Sequence, residues 1–443
     1  MPLRVAVIGA GSLTFTRRLM MDVLAVPEFH DTEFRFMDVD RDRLDKVAEV
    51  CRHMIRTNGL PAKVRRTVDR RRALDGADYV FCLIRVGGLK AFEKDVMIPL
   101  KYGVDQCVGD TLCAGGIFYA LRSIPVLLDI CADMRRGCPD ALLINHTNPM
   151  AMNSWAVSRE GGVRYIGLCH GVESGARLIA KAYDIPPQEL EYVCAGINHQ
   201  TWFIRAHHKG KNLLPGLLKR MEADPDIRAT EPVRLDMLRR FGYFSTESNG
   251  HLSEYLPWYR KGRGWKRRWV SRRSWIHGRT AGYLNKCRTV ASRFEEQYQK
   301  FIEGKLPEIA HGTRSGEHGS YIIEALETGR PYRGHFNVMN RGAIANLPAE
   351  CVVEVPGIAD RHGIHPLQVG PLPKPCVAIC RQSILVQELA VEAALTGDRQ
   401  LVRQAVALDP LCGAVLDTEQ VWRMCDEMFR ALAPWLPQFK GRR

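Results

Sequence analysis

Residues 4–24 read RVAVIGAGSLTFTRRLMMDVL, and this stretch decides the fold. Val5-Ala6-Val7-Ile8 is a short apolar run that stops at Gly9, as a buried strand does. Gly9-Ala10-Gly11-Ser12 is a glycine-bearing turn. From about Thr14, Phe15, Leu19 and Val23 recur at the spacing of one helix face, and Pro27 ends the pattern. Strand, glycine turn and helix in this order open a βαβ unit whose turn lets backbone N–H groups approach a pyrophosphate. Thr14 stands where the fingerprint has its third glycine. Phe34-Arg35-Phe36-Met37 predicts the second strand, and Asp38 ends it, where a carboxylate accepts from a ribose 2′-hydroxyl and repels a 2′-phosphate. The pattern therefore predicts NAD rather than NADP, held by Gly9, Ala10, Gly11, Ser12, Asp38 and, after the fourth strand, Val86. Asp38 lies about thirty residues beyond the glycines instead of about twenty, as a longer first helix requires.

Outward from this unit, a helix capped by Asp40 carries Leu44, Val47 and Cys51, and strands are expected at 63–68, 79–84, 141–144 and 165–168. A long helix is expected over about 116–135, interrupted at Pro125. Strands alternating with helices imply a doubly wound parallel sheet with ligands at the carboxyl ends of its strands. The second half is less regular. Helical pieces at 176–184 and 231–241 precede a Gly/Pro-rich β-like region at about 331–379 and closing helices from about Gln382 to Leu436. The fold class read here is α/β: a Rossmann-like domain over residues 1–193, then a closely packed α+β domain over 194–443.

Composition narrows the class. The 443 residues carry 63 Lys plus Arg against 49 Asp plus Glu, a net charge of +14, and 46% are hydrophobic, an ordinary globular balance. No run of about 18 apolar residues predicts a membrane span, and the N-terminus reads as a first strand, not a signal peptide. Fourteen cysteines at irregular spacing fit reduced thiols in the cytoplasm. Residues 260–273, RKGRGWKRRWVSRR, form the strongest cationic run. Such runs are more often solvated loops, interfaces or anion sites than nucleic-acid surfaces, so neither nucleic acid nor membrane is expected as a partner.

The chemistry-bearing residues lie at strand ends. Cys169-His170-Gly171 closes the sixth strand, and Asn198-His199 follows in CAGINHQTWF. A thiolate and an imidazole facing one cleft suit a divalent metal, zinc by softness alone. Asp110 precedes a helix and is either its cap or a group in the cleft. Glu247, His251 and Glu254 share the segment GYFSTESNGHLSEYLPW, in which helical spacing brings Glu247 and His251, or His251 and Glu254, to one face.

Together the segments VAVIGAGSLTF, IPLKYGVDQCVGDTLCAGG, INHTNPM, GLCHGV, CAGINH, FGYFSTESNGHLSEYLPW and NRGAIANLPAECVVEVPG, in this order, resemble glycoside hydrolase family 4 over nearly the whole chain. That family stands outside the two-carboxylate scheme of glycoside hydrolysis. The resemblance implies oxidation at C3 of the sugar by NAD, loss of the acidified C2 proton, departure of the glycosidic oxygen by elimination, water addition and return of the hydride. It implies Cys169 and His199 as ligands of a divalent metal (Mn2+), Asn148 as a substrate contact, Tyr243 as the base, and His170 or Asp110 as the acid. GDT and the TES…SEY segment resemble the branch acting on unphosphorylated α-galactosides, with α-glucosides and α-uronides (α-glucuronides or α-galacturonides) as alternatives. Phe92 stands where the phosphoglucosidase branch carries its phosphate-binding arginine, Cys113-Ala114 replaces Gly-Pro, and Gly171 replaces the serine of the α-galactosidase CHS motif. A homo-oligomer, dimer or tetramer, is also implied. An ordinary lactate- or malate-type NAD dehydrogenase would share the first half but leaves the Cys/His pair unexplained.

Overall fold

The structure is a computed structural model describing residues 2–271, 275–304, 307–310 and 314–440. Its strands are β1 (Arg4–Ile8), β2 (Glu33–Met37), β3 (Lys63–Thr67), β4 (Tyr79–Cys82), β5 (Leu142–Asn145), β6 (Arg164–Gly167), β7 (Glu191–Ile197), β8 (Gln200–His208), β9 (Lys211–Asn212), β10 (Tyr332–Met339), β11 (Val352–Asp360) and β12 (Gly363–Pro366). Among the described residues they form one sheet in the order β3-β2-β1-β4-β5-β6-β10-β11-β7-β8-β9, with β12 on β11. The first six are parallel in the 3-2-1-4-5-6 order of a dinucleotide-binding sheet. β10 then joins β6 antiparallel through Asn337 and Gly167, and β11 joins β7 through Glu354 and Gly196.

Sequence explains the parallel half directly. β4 and β5 are buried throughout, as strands covered on both faces are. Gly9 has φ of 90°, and a Cβ there would lie 2.8 Å from the Leu83 carbonyl carbon, so only glycine lets β1 turn against the end of β4. Ser12 caps the helix Leu13–Leu24, its hydroxyl accepting from Phe15 N. Asp38 Oδ2 accepts from Gly11 N at 2.7 Å, tying the glycine turn to the end of β2.

Two expectations need correction. The long helix runs unbroken from Cys113 to Gly137 through Pro125. Proline costs a helix interior about 3 kcal/mol, and here the helix is the central rod of the largest core cluster, packed by Ile117, Phe118, Leu121 and Ile124. It is the one helix among the described residues long and apolar enough to span a membrane, and 78% of its most apolar window is buried inside the protein. The closing helices begin at Lys374, earlier than read, because Pro373 sets the N-terminus.

One ion pair sits inside this rod's packing. Arg122 Nη1 and Nη2 donate to the two oxygens of Asp95 at 2.8 and 2.5 Å, with side chains 1% and 0% exposed. The Arg122 guanidinium also lies 5.3 Å from the Tyr119 ring. Removing one charge strands the other in an apolar interior. Asp95→Asn is therefore expected to destabilise the fold by about 3–5 kcal/mol, read as a lowered urea midpoint, while Asp95→Leu with Arg122→Met should restore much of that loss.

Candidate active site

A cleft of about 940 Å3 opens at the carboxyl ends of the parallel strands. Ser12 follows β1, Arg85 follows β4, Asn148 follows β5 and Cys169 follows β6, so four strand ends supply its floor. The β7–β8 turn and the 246–251 segment supply the far wall.

Cys169, His199 and Glu247 present one sulfur, one nitrogen and one oxygen, all within 4.8 Å of one another. His199 occupies the two-residue turn between β7 and β8 with φ of 64°, a conformation that favours glycine. Its Nδ1 is bonded to Thr111 Oγ1 at 3.0 Å and Tyr255 OH at 3.3 Å, which leaves Nε2 facing Glu247 Oε2 at 3.4 Å. A ring fixed through one nitrogen while the other points at the donors is the arrangement of metal-ligating histidines. Burial holds the His199 pKa down to about 4, so the ring is neutral and ready to ligate at physiological pH. Burial alone would raise Glu247, but the His251 and His199 imidazoles and the Ser248 N–H bring its carboxyl down to about 2. Burial pushes the Cys169 thiol well up, so a cation must displace its proton. The thiolate–imidazole–carboxylate set with a cleft-facing open side fits a divalent transition metal, and the hard oxygen broadens the choice beyond zinc.

Glu247 reaches this position because residues 244–246 pair along β8. Phe203 N donates to Phe244 O, Thr246 N to Thr201 O, and Trp202 bridges Ser245. Phe244 enters the core beside Phe203, and Tyr243 packs against the other large apolar cluster. The segment therefore shows the cleft Thr246, Glu247 and Ser248, and Tyr243 is not brought to it. This corrects the choice of Tyr243. The phenols lining the cleft are Tyr119, whose hydroxyl donates to Ile84 O, and Tyr283 at the start of helix Gly282–Ser292. Tyr283 was invisible in the sequence because GYLNK carries no pattern beyond a helix start.

Asp110 does not cap the helix. Leu112 occupies the cap position, and Asp110 instead pairs with Arg85 Nη2 at 2.9 Å and accepts from Asn148 Nδ2 at 3.4 Å. The Arg85 guanidinium lies over the Phe92, Tyr119 and Tyr283 rings at 4.5, 5.1 and 5.4 Å. Phe92 is thus a buried platform beneath Arg85. His170 lines the cleft with its side chain 70% exposed, its Nδ1 3.9 Å from Glu317 Oε1. Of the dinucleotide candidates Ser12 lines the cleft; Gly9, Ala10, Gly11 and Asp38 form the adjoining turn, and Val86 points its carbonyl at Arg122 Nε instead. The 260–273 run is not one patch. Arg260 is buried and bonded to Asp105, Lys261 and Arg263 are exposed, and Arg272 and Arg273 lie outside the described residues.

Comparison with known proteins agrees with this geometry. The model of Family 4 glycosyl hydrolase matches residues 4–185, and that of the Family 4 glycosyl hydrolase C-terminal domain matches 194–412. The chain is 49% identical to an α-galactosidase of Rhizobium meliloti (strain 1021), over 98% of this chain and 89% of that one. It is 36% identical to an α-galactosidase of Bacillus subtilis (strain 168), over 99% and 100%. In fold it is similar to a 6-phospho-α-glucosidase from gut microorganisms solved in complex with NAD and Mn2+, with a TM-score of 0.82 at 22% identity, over 99% of this chain and 100% of that one. The protein belongs to glycosyl hydrolase family 4.

The loop under the cleft rests on Glu254. Its carboxylate accepts from Cys107 N at 2.6 Å, Val108 N at 2.9 Å and Gly109 N at 2.9 Å, so it is turned into the protein. An amide in this place has one acceptor oxygen and turns its NH2 toward an N–H. Glu254→Gln is expected to lose about 1–3 kcal/mol of stability in thermal unfolding and to lower turnover by displacing Asp110.

Proposed function

We propose that the protein hydrolyses unphosphorylated α-glycosides, α-galactosides first, with NAD and Mn2+ as resident cofactors. The observation that carries this reading is the convergence of Cys169, His199 and Glu247 on the same cleft that receives Ser12 from the glycine turn. The two α-galactosidase relatives support the sugar, and the NAD and Mn2+ of the gut 6-phospho-α-glucosidase support the cofactors. Residues 1–193 would bind the dinucleotide and 194–443 would add His199, Glu247, Tyr283 and the surface for assembly as a dimer or tetramer.

When bound, NAD would supply the acceptor and donor for the C3 hydride, and a metal held by Cys169, His199 and Glu247 would supply Lewis acidity toward the sugar oxygens. The residues do the rest. Asp38, with Gly11 N and Asp40 N on separate oxygens, keeps acceptor capacity for a ribose hydroxyl. Asp110, in the loop before the helix Cys113–Gly137, and Asn148, after β5, lie side by side and orient sugar hydroxyls. Tyr283 takes the C2 proton. Burial raises its phenol and the Arg85 cation opposes that rise, so the guanidinium favours the phenolate the step needs. His170, exposed at the cleft, gives a proton to the departing glycosidic oxygen.

The charges favour a neutral sugar. Arg85 is matched by Asp110, Arg234 by Glu231, and Lys181 by Asp224 and Asp226. Of the arginines and lysines lining the cleft, Arg177 is the one without an ion pair among the described residues, and it favours the second reading, an α-uronide whose carboxylate it would meet.

A panel of nitrophenyl α-galactoside, α-glucoside and α-glucuronide, with NAD, Mn2+ and a thiol reductant, is expected to show the α-galactoside as best substrate; preference for the glucuronide would install the second reading. Hydrolysis in D2O is expected to place deuterium at C2 of the released sugar, and an undeuterated product would refute removal of the C2 proton. Tyr283→Phe should lower kcat by about 10²–10⁴-fold with NAD affinity retained, while Tyr243→Phe should stay near the parent enzyme. The reverse order would return the base to Tyr243.

A further inference from the structure

Behind the cleft lies a second convergent donor set. Cys113 opens the helix Cys113–Gly137 at φ of 57°, a left-handed conformation in which glycine is relaxed and a Cβ is not. A cysteine held there implies use of its side chain. Its Sγ, the Cys412 Sγ and a carboxylate oxygen of Asp409 lie within 4.8 Å of one another. Cys113 and Cys412 are 0% exposed and Asp409 is 1% exposed. Asp409 Oδ1 accepts from Leu411 N and Cys412 N, and Oδ2 accepts from Cys113 N at 3.0 Å. A carboxylate has about four acceptor positions, so Oδ2 keeps one. The Cys113 thiol donates to the backbone carbonyl of Glu254 at 3.2 Å, which puts a second oxygen beside it.

We propose that Cys113, Cys412 and Asp409, with the Glu254 carbonyl closing the shell, bind a structural divalent cation of the zinc class. Tetrahedral zinc with Zn–S of about 2.3 Å and Zn–O of about 2.0 Å places its donors roughly 3.5–3.8 Å apart, within the 4.8 Å that already encloses the three side-chain donors. Two sulfurs and an enclosed shell suit a soft structural ion, whereas the cleft offers one sulfur, harder donors and an open side. Binding releases two thiol protons, and the cation meets two thiolates and one carboxylate. The residual single negative charge is met by the three N–H groups on Asp409. Such a site fills as the chain folds, so burial is no obstacle. A Cys113–Cys412 disulfide would need an oxidant to reach a pair with no exposure. The ion would staple the segment from Asp409 to Cys412 onto the start of the central helix, beside Asp110 and Thr111. The proposal is independent of the reading of the cleft.

The test uses full-length Cys169→Ser, which removes the thiolate of the cleft. The protein is folded in cells with Zn2+, stripped of loose metal with a chelator and measured by mass spectrometry for zinc and by X-ray absorption at the zinc edge. About one zinc per chain with two sulfur neighbours is expected, and replacement by Co2+ should give a thiolate charge-transfer band. Adding Cys412→Ala should remove both zinc and band, with NAD binding reporting that the variant is folded. Zinc-free Cys169→Ser, a shell of nitrogen and oxygen alone, zinc retained without Cys412, or a Cys113–Cys412 disulfide in zinc-replete protein would each overturn the proposal. The sulfur count is read on Cys169→Ser itself, so the test stands even where the Cys412 variant does not fold.

Discussion

Three backbone N–H groups converge on the buried carboxylate of Glu254, and the cleft hangs from that contact. Residues 107–109 have no strand partner, so without Glu254 their donors would be buried unpaired at a cost of about 1–3 kcal/mol each. Once this loop is fixed, Asp110 and Thr111 follow it into position. Asp110 then holds Arg85 and Asn148, and Thr111 holds Nδ1 of His199. The orientation of the histidine in the donor trio is therefore set two contacts away, by a side chain that faces away from the cleft. Arg260 supports the same loop from below, bonded to Asp105 and to Ser253 one residue before Glu254.

The antiparallel half completes the site by continuing the sheet past β6. β10 and β11 pass between β6 and β7, so the β7–β8 turn lands across the cleft from the end of β6. Asn198 in that turn donates to Glu354 on β11 at 3.3 Å. A strand from the middle of the second half thus braces the turn that carries His199. Sheet continuity, and not loop contact alone, fixes the separation of Cys169 from His199.

The parallel half was legible because its signals are local. An apolar run, a glycine and a four-residue period within 4–24 give β1 and its helix to within a residue or so. Pro125 misled because helix strength there comes from packing of Ile117, Phe118, Leu121 and Ile124 into the core, which no window of sequence displays. Tyr243 misled for a similar reason. Its segment was recognised, but pairing of 244–246 with β8 decides which side chains face the cleft, and the pairing partner lies some forty residues away. Glu247 and His251 meet as their helical spacing suggests, at 3.3 Å, whereas Glu254 answers to the 107–109 loop instead. Tyr283 and Arg85 carried no signal, since their meaning lies in facing one another.

His199 and Cys113 show one physical principle at two depths. Each takes a positive φ, at 64° and 57°, where a residue with a Cβ pays about 1–3 kcal/mol. Glycine would remove that cost at either place, and the glycine turns of this chain show that the option is open to it. What glycine cannot supply is a donor atom. At His199 the left-handed turn aims the imidazole back across the cleft toward Cys169 and Glu247. At Cys113 the same conformation aims a thiol inward at Asp409 and Cys412 while the N–H reaches the same carboxylate. Between them run only Thr111 and Leu112, and Thr111 touches His199 directly. The two strained residues therefore brace one short segment from opposite sides.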